Sequence, residues 1–221
     1  MIHSILRAAG LGALSLLIAL PASAGAQDYD GPMGTGVGLA AGYAKPSDSL
    51  YSGGVSGGLV FSIGLWKYLA LEIQGGYFGS GVQGSNEGLS KGKLTVIPIQ
   101  LSLQGRYPVN EGRLMPYLEL GGGYYLNSFA VDSDLVDDWE RVGFALEEKV
   151  EGAFGFHFGA GLDFFLSRNF SLGLGFKYCL VRMNGSWSLT DNAGSTEVTG
   201  DLEDLKLSPL TIALRLRFVF K

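Results

Sequence analysis

The sequence is poor in several things at once. It has one cysteine, Cys179, so no internal disulfide framework is open to it. Lys and Arg number 16 against 21 Asp and Glu, for a formal charge of −5, and no basic excess is present to recruit nucleic acid. Past the first 20 residues no apolar run approaches the roughly 20 residues of a membrane helix. Past the same point histidine occurs once, as His157. A disulfide scaffold, a nucleic-acid binder and a helical membrane protein are thereby excluded. Glycine, by contrast, is abundant, with 35 copies.

The first 26 residues form a separate unit. Arg7 is followed by an apolar core from Leu11 to Leu20, then Pro21 and the small residues Ala22–Ala24 or Ala24–Ala26. This is the pattern of a secretory signal peptide, and its apolar core is too short for an anchor. No Cys follows that core, so a lipoprotein anchor is not expected. The expected organisation is a signal peptide over 1–26 and one domain over 27–221, the mature chain beginning near Gly25 or Gln27. Loss of Arg7 makes the mature chain one unit more negative.

Beyond the leader, period-two alternation appears eight times. In "GFHFGAGLDFFLSRNFSLGLGFKY" (Gly155–Tyr178), Phe156, Phe158, Leu162 and Phe164 share one face. Phe170, Leu172, Leu174, Phe176 and Tyr178 repeat the pattern after the polar turn Ser167–Asn169. Gly, His, Asp, Ser and Lys fill the other face. Five earlier segments behave alike: "MGTGVGLAAGYA", "VSGGLVFSIGLW", "LALEIQGGYF", "TVIPIQLSLQGRY" and "PYLELGGGYYLN". So does the last, "LTIALRLRFVF". Each has about the length of a tilted transmembrane strand, roughly 9–11 residues. Three connections are short: Lys67–Tyr68, Pro108–Met115 and Ser167–Asn169. Four are long and polar: Lys45–Gly54, Gly79–Lys93, Ser128–Gly152 and Asn184–Ser208. The spacing predicts an eight-stranded antiparallel up-and-down transmembrane β-barrel with short periplasmic turns and long extracellular loops. A soluble β-sandwich or lipocalin-like barrel is less consistent, because the non-apolar face is mostly Gly, Ala and Ser rather than Lys and Glu. Trp66, Tyr68, Tyr107, Phe170 and Phe218 fall at the periplasmic strand ends. Tyr43, Tyr77, Tyr124 and Tyr178 fall toward the outer ends, as two interfacial girdles require.

The stretch "IPIQLSLQGRYPVNEGRLMPYLELGGGYY" resembles the fourth and fifth strands of the OmpW family of outer-membrane proteins, with Pro116, Tyr117, Gly121, Gly123 and Tyr124 or Tyr125 in its pattern. Gly155–Tyr178, with its Arg168–Asn169 turn, resembles the sixth and seventh. The wider class is the OmpA-like transmembrane barrel. The resemblance implies an outer-membrane location and the passage or binding of small hydrophobic solutes through an apolar channel near the outer rim. It also implies a C-terminal aromatic signal for the barrel assembly machinery. Phe218 and Phe220 fit that signal, although Lys221 follows them. Expected partners are outer-membrane lipid, lipopolysaccharide, the assembly machinery and a small hydrophobic solute, with no nucleic acid, for a chain expected to be a monomer. Two other functions stay open: a structural or surface-recognition barrel of the OmpA type with a plugged lumen, and, more distantly, a lipid A-modifying enzyme.

The inward face is expected to carry Glu72, Arg106, Glu119, His157, Asp163, Lys177, Arg215 and Arg217. Such charges are costly unless paired. An interior salt-bridge network is the favoured reading over a solute-selecting lining. Asp163 and Lys177, on adjacent strands, are expected to meet, with Glu119 as a competing partner. His157 has Gly159 as its next same-face neighbour, so no nucleophile is expected beside it. Cys179 points inward without companions for a metal site. No catalysis, cofactor or metal is expected. "GVGLAA" (Gly36–Ala41) matches a weak dinucleotide pattern, but no strand precedes it. A short helix is expected within Val136–Gly152, where Val142, Leu146 and Val150 recur every fourth residue. It would lie over the barrel mouth or against lipopolysaccharide.

Overall fold

The computed structural model describes residues 34–84, 89–191 and 197–220. The leader, its cleavage site and Lys221 lie outside the described residues. Alternation becomes strand almost everywhere: β1 (Thr35–Lys45), β2 (Gly54–Trp66), β3 (Leu69–Gln83), β4 (Lys91–Arg106), β5 (Leu114–Val131), β7 (Ala153–Phe165), β8 (Phe170–Asp191) and β10 (Leu210–Phe220). Each pairs antiparallel with its neighbours in the order β1-β2-β3-β4-β5-β7-β8-β10. The ring closes where β10 pairs with β1, from Thr35↔Phe220 to Lys45↔Leu210. Closure leaves no edge among these eight strands, which hydrocarbon demands because it offers no partner to a bare N–H or C=O. No described helix is long and apolar enough to cross a membrane.

The phase of the alternation matches the sequence reading. Leu59, Ile73, Ile99, Leu101, Leu118, Leu120, Phe156 and Leu214 point out and are well exposed on the isolated chain, where lipid would cover them. Between them Ser62, Glu72, Ser102, Gln104 and Asp163 are buried in the lumen. Tyr68 and Tyr107 stack at the periplasmic end with centroids 6.1 Å apart. Tyr124 with Phe154 (4.8 Å) and Phe158 with Tyr178 (5.6 Å) pack at the outer end.

The long connections differ from expectation. The expected loop Gly79–Lys93 is largely continued strand, since β3 runs to Gln83 and β4 starts at Lys91. Ser128–Gly152 holds the end of β5, the helix α1 (Ser133–Arg141) and the strand β6 (Phe144–Val150). Asn184–Ser208 holds the rest of β8 and the strand β9 (Glu197–Lys206). Strands β6 and β9 flank the upper part of β8 as a small sheet beyond the ring. The helix therefore starts earlier than the i,i+4 series suggested. Leu146 and Val150 belong to β6, because a spacing of four satisfies the strand period of two as well as a helical turn. The physical reason for the extension is the inward face. Val82, Leu94, Val181 and Met183 continue the alternation with apolar residues and need a partner sheet to bury them.

The interior is accordingly divided: the alternation pointed to a polar interior, and the resemblance to an apolar channel near the outer rim. Ion-paired side chains fill the lower lumen above a periplasmic seal of Met115, Phe165 and Val219. Above the level of Gln100 the lumen is an apolar core, including Phe78, Leu89, Leu94, Val96, Tyr125, Val181, Met183 and Leu207. Glu148 binds the Ser90 backbone N–H at 3.0 Å and its hydroxyl, tying β6 to the segment before β4.

Two outcomes follow from this architecture. Leu174 pairs with outward Leu162 and Leu214, so Leu174→Arg places a charge in hydrocarbon and should cost about 2–4 kcal/mol near the midplane. Reversible urea unfolding in vesicles measures this, with Leu174→Phe as the tolerated comparison, and coincident midpoints would contradict the lipid-facing assignment. Inward Gly175 is no neutral control, because a Cβ there would lie 2.8 Å from the Tyr117 hydroxyl. Asp132 caps α1, accepting from the Asp134 N–H at 3.2 Å and pairing with Lys91 Nζ at 3.2 Å. The Lys91 contact first, and that N–H second, hold its carboxyl below the usual carboxylate range. A depressed carboxyl stabilises fully at neutral pH, and its contribution is lost as pH falls through the folded-state pKa. Amides of Ser133–Arg141, corrected for intrinsic rates, should lose exchange protection on acidification before the barrel strands do. Constant protection there would remove the cap from the account.

Candidate functional site

The lower lumen holds a single connected network. Arg106 donates to Gln104 Oε1 at 2.6 and 3.1 Å, and Gln104 Nε2 donates to Glu119 Oε2 at 2.9 Å. Glu119 also meets Lys177 Nζ at 3.3 Å and Arg215 Nη1 at 3.9 Å. Arg215 crosses the lumen to Glu72, which also takes Arg217 at 3.6 Å. Arg217 continues to Asp163 at 3.1 Å. Lys177 completes its shell with Gln74 Oε1 (2.8 Å) and Gln100 Oε1 (3.1 Å). The lower lumen thus has four bases against three acids, so its charges nearly cancel. Among the described residues no group of three or more His, Cys, Asp or Glu side chains could hold a metal ion.

The expected Asp163–Lys177 contact does not form. Asp163 pairs with Arg217, and Lys177 pairs with the competitor Glu119. The reason lies in which residues stand between them. Glu119 on β5 faces Gly159 on β7, which faces Lys177 on β8. A Cβ at Gly159 would come 2.9 Å from Glu119 Oε1, so the bare glycine is the saddle over which the pair closes. Asp163 likewise lies over Gly173 of β8 to reach Arg217 on β10. Tyr117 passes over Gly161 and Gly175 to accept from Arg215 Nη1 at 2.7 Å. These contacts skip a strand, whereas the sequence argument favoured the adjacent-strand pair and kept Glu119, across β7, only as the competitor. Glycines at matching positions on the intervening strand were the available signal.

The same device corrects the reading of His157. Ser102 on β4 faces Gly121 on β5, which faces His157 on β7. A Cβ at Gly121 would lie 2.6 Å from His157 Nε2. Across that gap Ser102 Oγ and His157 Nε2 are 2.7 Å apart, so a hydroxyl does stand beside the histidine. Both are buried, at 1% and 0% exposure. The pair acts as a cross-strand tie. Phe218 and Phe220 face outward on β10 with ring centroids 4.9 Å apart.

Between the ion-paired floor and the apolar roof lies a cavity of about 80 Å³. That is room for roughly five or more waters or one small ligand. Gln74, Gln100, Tyr117, Glu119, Lys177 and Arg215 form its polar side; Ala44, Phe78, Val96, Tyr125, Cys179 and Leu207 form its apolar side. Gln100 links the two, donating to the Tyr125 hydroxyl at 2.8 Å and approaching Cys179 Sγ at 3.8 Å. The wall here includes Gly76 and Pro98. The β3–β4 ladder runs to Gly75↔Ile99 and resumes at Phe78↔Val96, omitting the positions of Gly76 and Tyr77 against Pro98 and Ile97. Pro98 has no N–H to donate at this gap.

The saddle geometry gives a direct test. Glu119→Gln should cost about 3 kcal/mol, and with Lys177→Gln should show a coupling of about 0.5–3 kcal/mol in a double-mutant cycle. Gly159→Ala, which keeps every charge, should destabilise comparably by parting the pair. Urea unfolding of the folded barrel provides the measurement. A harmless Gly159→Ala would mean that the pair does not depend on the saddle.

The sequence matches the outer membrane protein beta-barrel domain over residues 12–218. No curated protein matches the chain. Solved structures share the ring. The outer membrane protein OprG of Pseudomonas aeruginosa has a TM-score of 0.64 at 17% identity, covering 87% of this chain and 99% of that one. The E. coli outer membrane protein W has a TM-score of 0.51 at 14% identity, covering 86% and 99%. AlkL, solved in DMPC lipid bilayers, has a TM-score of 0.50 at 16% identity, covering 92% and 96%. At such identities these likenesses establish the fold. With the domain match running nearly the length of the sequence, the chain belongs to the outer membrane protein beta-barrel family.

Proposed function

We propose that this barrel passes small hydrophobic solutes between the outside and the membrane, through its upper lumen and out through the wall beside Pro98. The observation that carries this reading is the cavity's position. It lies under an apolar roof, over a closed ionic floor, and against the one gap in the β3–β4 ladder. A solute entering from above displaces only apolar side chains, such as Leu94, Val181 and Leu207, at no electrostatic cost. Going straight down it would have to part Glu72, Glu119, Arg215 and Arg217, whose separation leaves uncompensated buried charges at several kcal/mol each. The sideways route opens no ion pair. The polar rim of the cavity, Gln74, Gln100 and Lys177, suits a solute with one small polar end.

A second reading, a scaffold barrel with a plugged lumen, draws on the same ionic floor and on the periplasmic seal of Met115, Phe165 and Val219. The two differ in what crosses. Refolded protein in planar bilayers should conduct ions poorly under either reading. Under the transport reading, protein-bearing vesicles should take up a small apolar fluorophore such as N-phenyl-naphthylamine faster than empty ones. Pro98→Val, which restores a backbone N–H at the gap, should slow that uptake severalfold with folding intact. Uptake equal to empty vesicles would leave the scaffold, and large ion currents would refute both.

A further inference from the structure

The outer face of β8 changes chemistry abruptly. Phe176, Tyr178 and Leu180 continue the lipid-facing series, and two residues on stands Arg182. Directly opposite on β9 is Lys206. Below them Phe156 pairs with Leu180, and Phe154, 81% exposed, stands at the top of the β7 face. Phe154, Phe156, Leu180, Arg182, Lys206 and Ser208 border a groove of about 300 Å³. One end is aromatic and aliphatic, the other carries two cations.

A β-bulge builds this arrangement. Met183 pairs with Leu205 and Gly185 with Leu202, so Glu203 and Asp204 together oppose the single residue Asn184. Asp204 sits at φ 56°, a left-handed conformation that Asp tolerates better than most residues. The extra residue lets Leu202 and Leu205 both point inward while Asp204 and Lys206 both point outward. Asp204 then lies between the cations, 3.3 Å from Arg182 Nη1 and 3.4 Å from Lys206 Nζ. One carboxylate against two bases leaves a net positive charge, and the Arg182 and Lys206 side chains remain 73% and 56% exposed. The setting is otherwise mostly acidic: Asp134, Asp137, Asp138 and Glu140 on α1, Glu147 and Glu148 on β6 and Glu203 on β9 outnumber Arg141 and Lys149, each of which is paired with an acid of its own element. A positive spot at the top of the apolar belt, in an acidic extracellular part, is selective for anionic groups at that depth.

We infer that this groove binds one phosphate-bearing, multiply acylated lipid of the outer leaflet: an acyl chain along Phe154, Phe156 and Leu180, and a headgroup phosphate on Arg182 and Lys206. Arg offers a planar fork and Lys a point charge, the two usual forms of phosphate contact. The aromatic face supplies apolar contact that a free phosphate would not use. Asp204 holds both cations in place in the free protein and competes with the phosphate.

The test uses the mature barrel in phosphatidylcholine nanodiscs doped with bisphosphorylated lipid A, with retained lipid counted by native mass spectrometry. Wild type should keep one lipid A through detergent exchange and discriminate against its dephosphorylated form. R182Q/K206Q should retain it roughly 25-fold less, at roughly fivefold for each basic group. K67Q, at the periplasmic turn, should match wild type. F156A should weaken retention with both cations present. D204N should strengthen it, whereas a merely structural triad would be loosened by that change. Only variants with the heat-modifiable gel migration of wild type are compared. Equal retention by R182Q/K206Q, equal retention of dephosphorylated lipid, or weakened retention by D204N would overturn the inference. Displacement of the lipid by millimolar inorganic phosphate would do so too, since the groove would then be a free-anion site.

Discussion

An eight-stranded ring leaves room inside for side chains and little else. Every inward group must therefore find its partner across a space about one side chain wide. This constraint organises the molecule. It explains why glycine is so frequent on the inward face, why the charges form one continuous network, and why the cavity where two kinds of filling meet is small. The lower lumen is filled by charge and the upper by hydrocarbon.

The glycine saddles are the local expression of the same constraint. In a wider barrel, Glu119 and Lys177 would each extend toward the axis and pair through water or with a solute. Here they close over Gly159, and Ser102 and His157 close over Gly121. The strand between two partners contributes a missing side chain. A methyl group there would stand where the contact runs. Glycine, often a weak point in a strand because it packs nothing, is here the residue that lets strands on either side of it be cross-linked.

In the proposed reading, solute passage and membrane contact divide between the two surfaces of the upper barrel. The inner surface is apolar, ends on the floor at Lys177 and Gln100, and borders the Pro98 gap. The outer surface is apolar up to Leu180 and turns basic at Arg182 and Lys206. The bulge at Asp204 serves both, holding Leu202 and Leu205 inside and Lys206 outside. The groove proposed to hold lipid, on β7–β9, and the ladder gap between β3 and β4 lie in separate parts of the wall.

The sequence by itself determined the strand count of the ring, the phase of its eight strands and the identity of the inward charges. Each of these follows from a period of two repeated along the chain. Phe156 and His157 need no tertiary information to be assigned to opposite faces. It did not determine who pairs with whom inside. Asp163 chose Arg217 over Lys177 because partners lie across a strand, and that depends on ring closure, shear and the glycine between them. Nor did it determine how far the strands continue past the membrane. Polar loop composition hid the inward Val82, Leu94 and Met183, and a spacing of four at Val142, Leu146 and Val150 suited helix and strand alike. Only the closed ring, which fixes what each inward residue faces, decided the ionic floor, the apolar roof and the cavity between them.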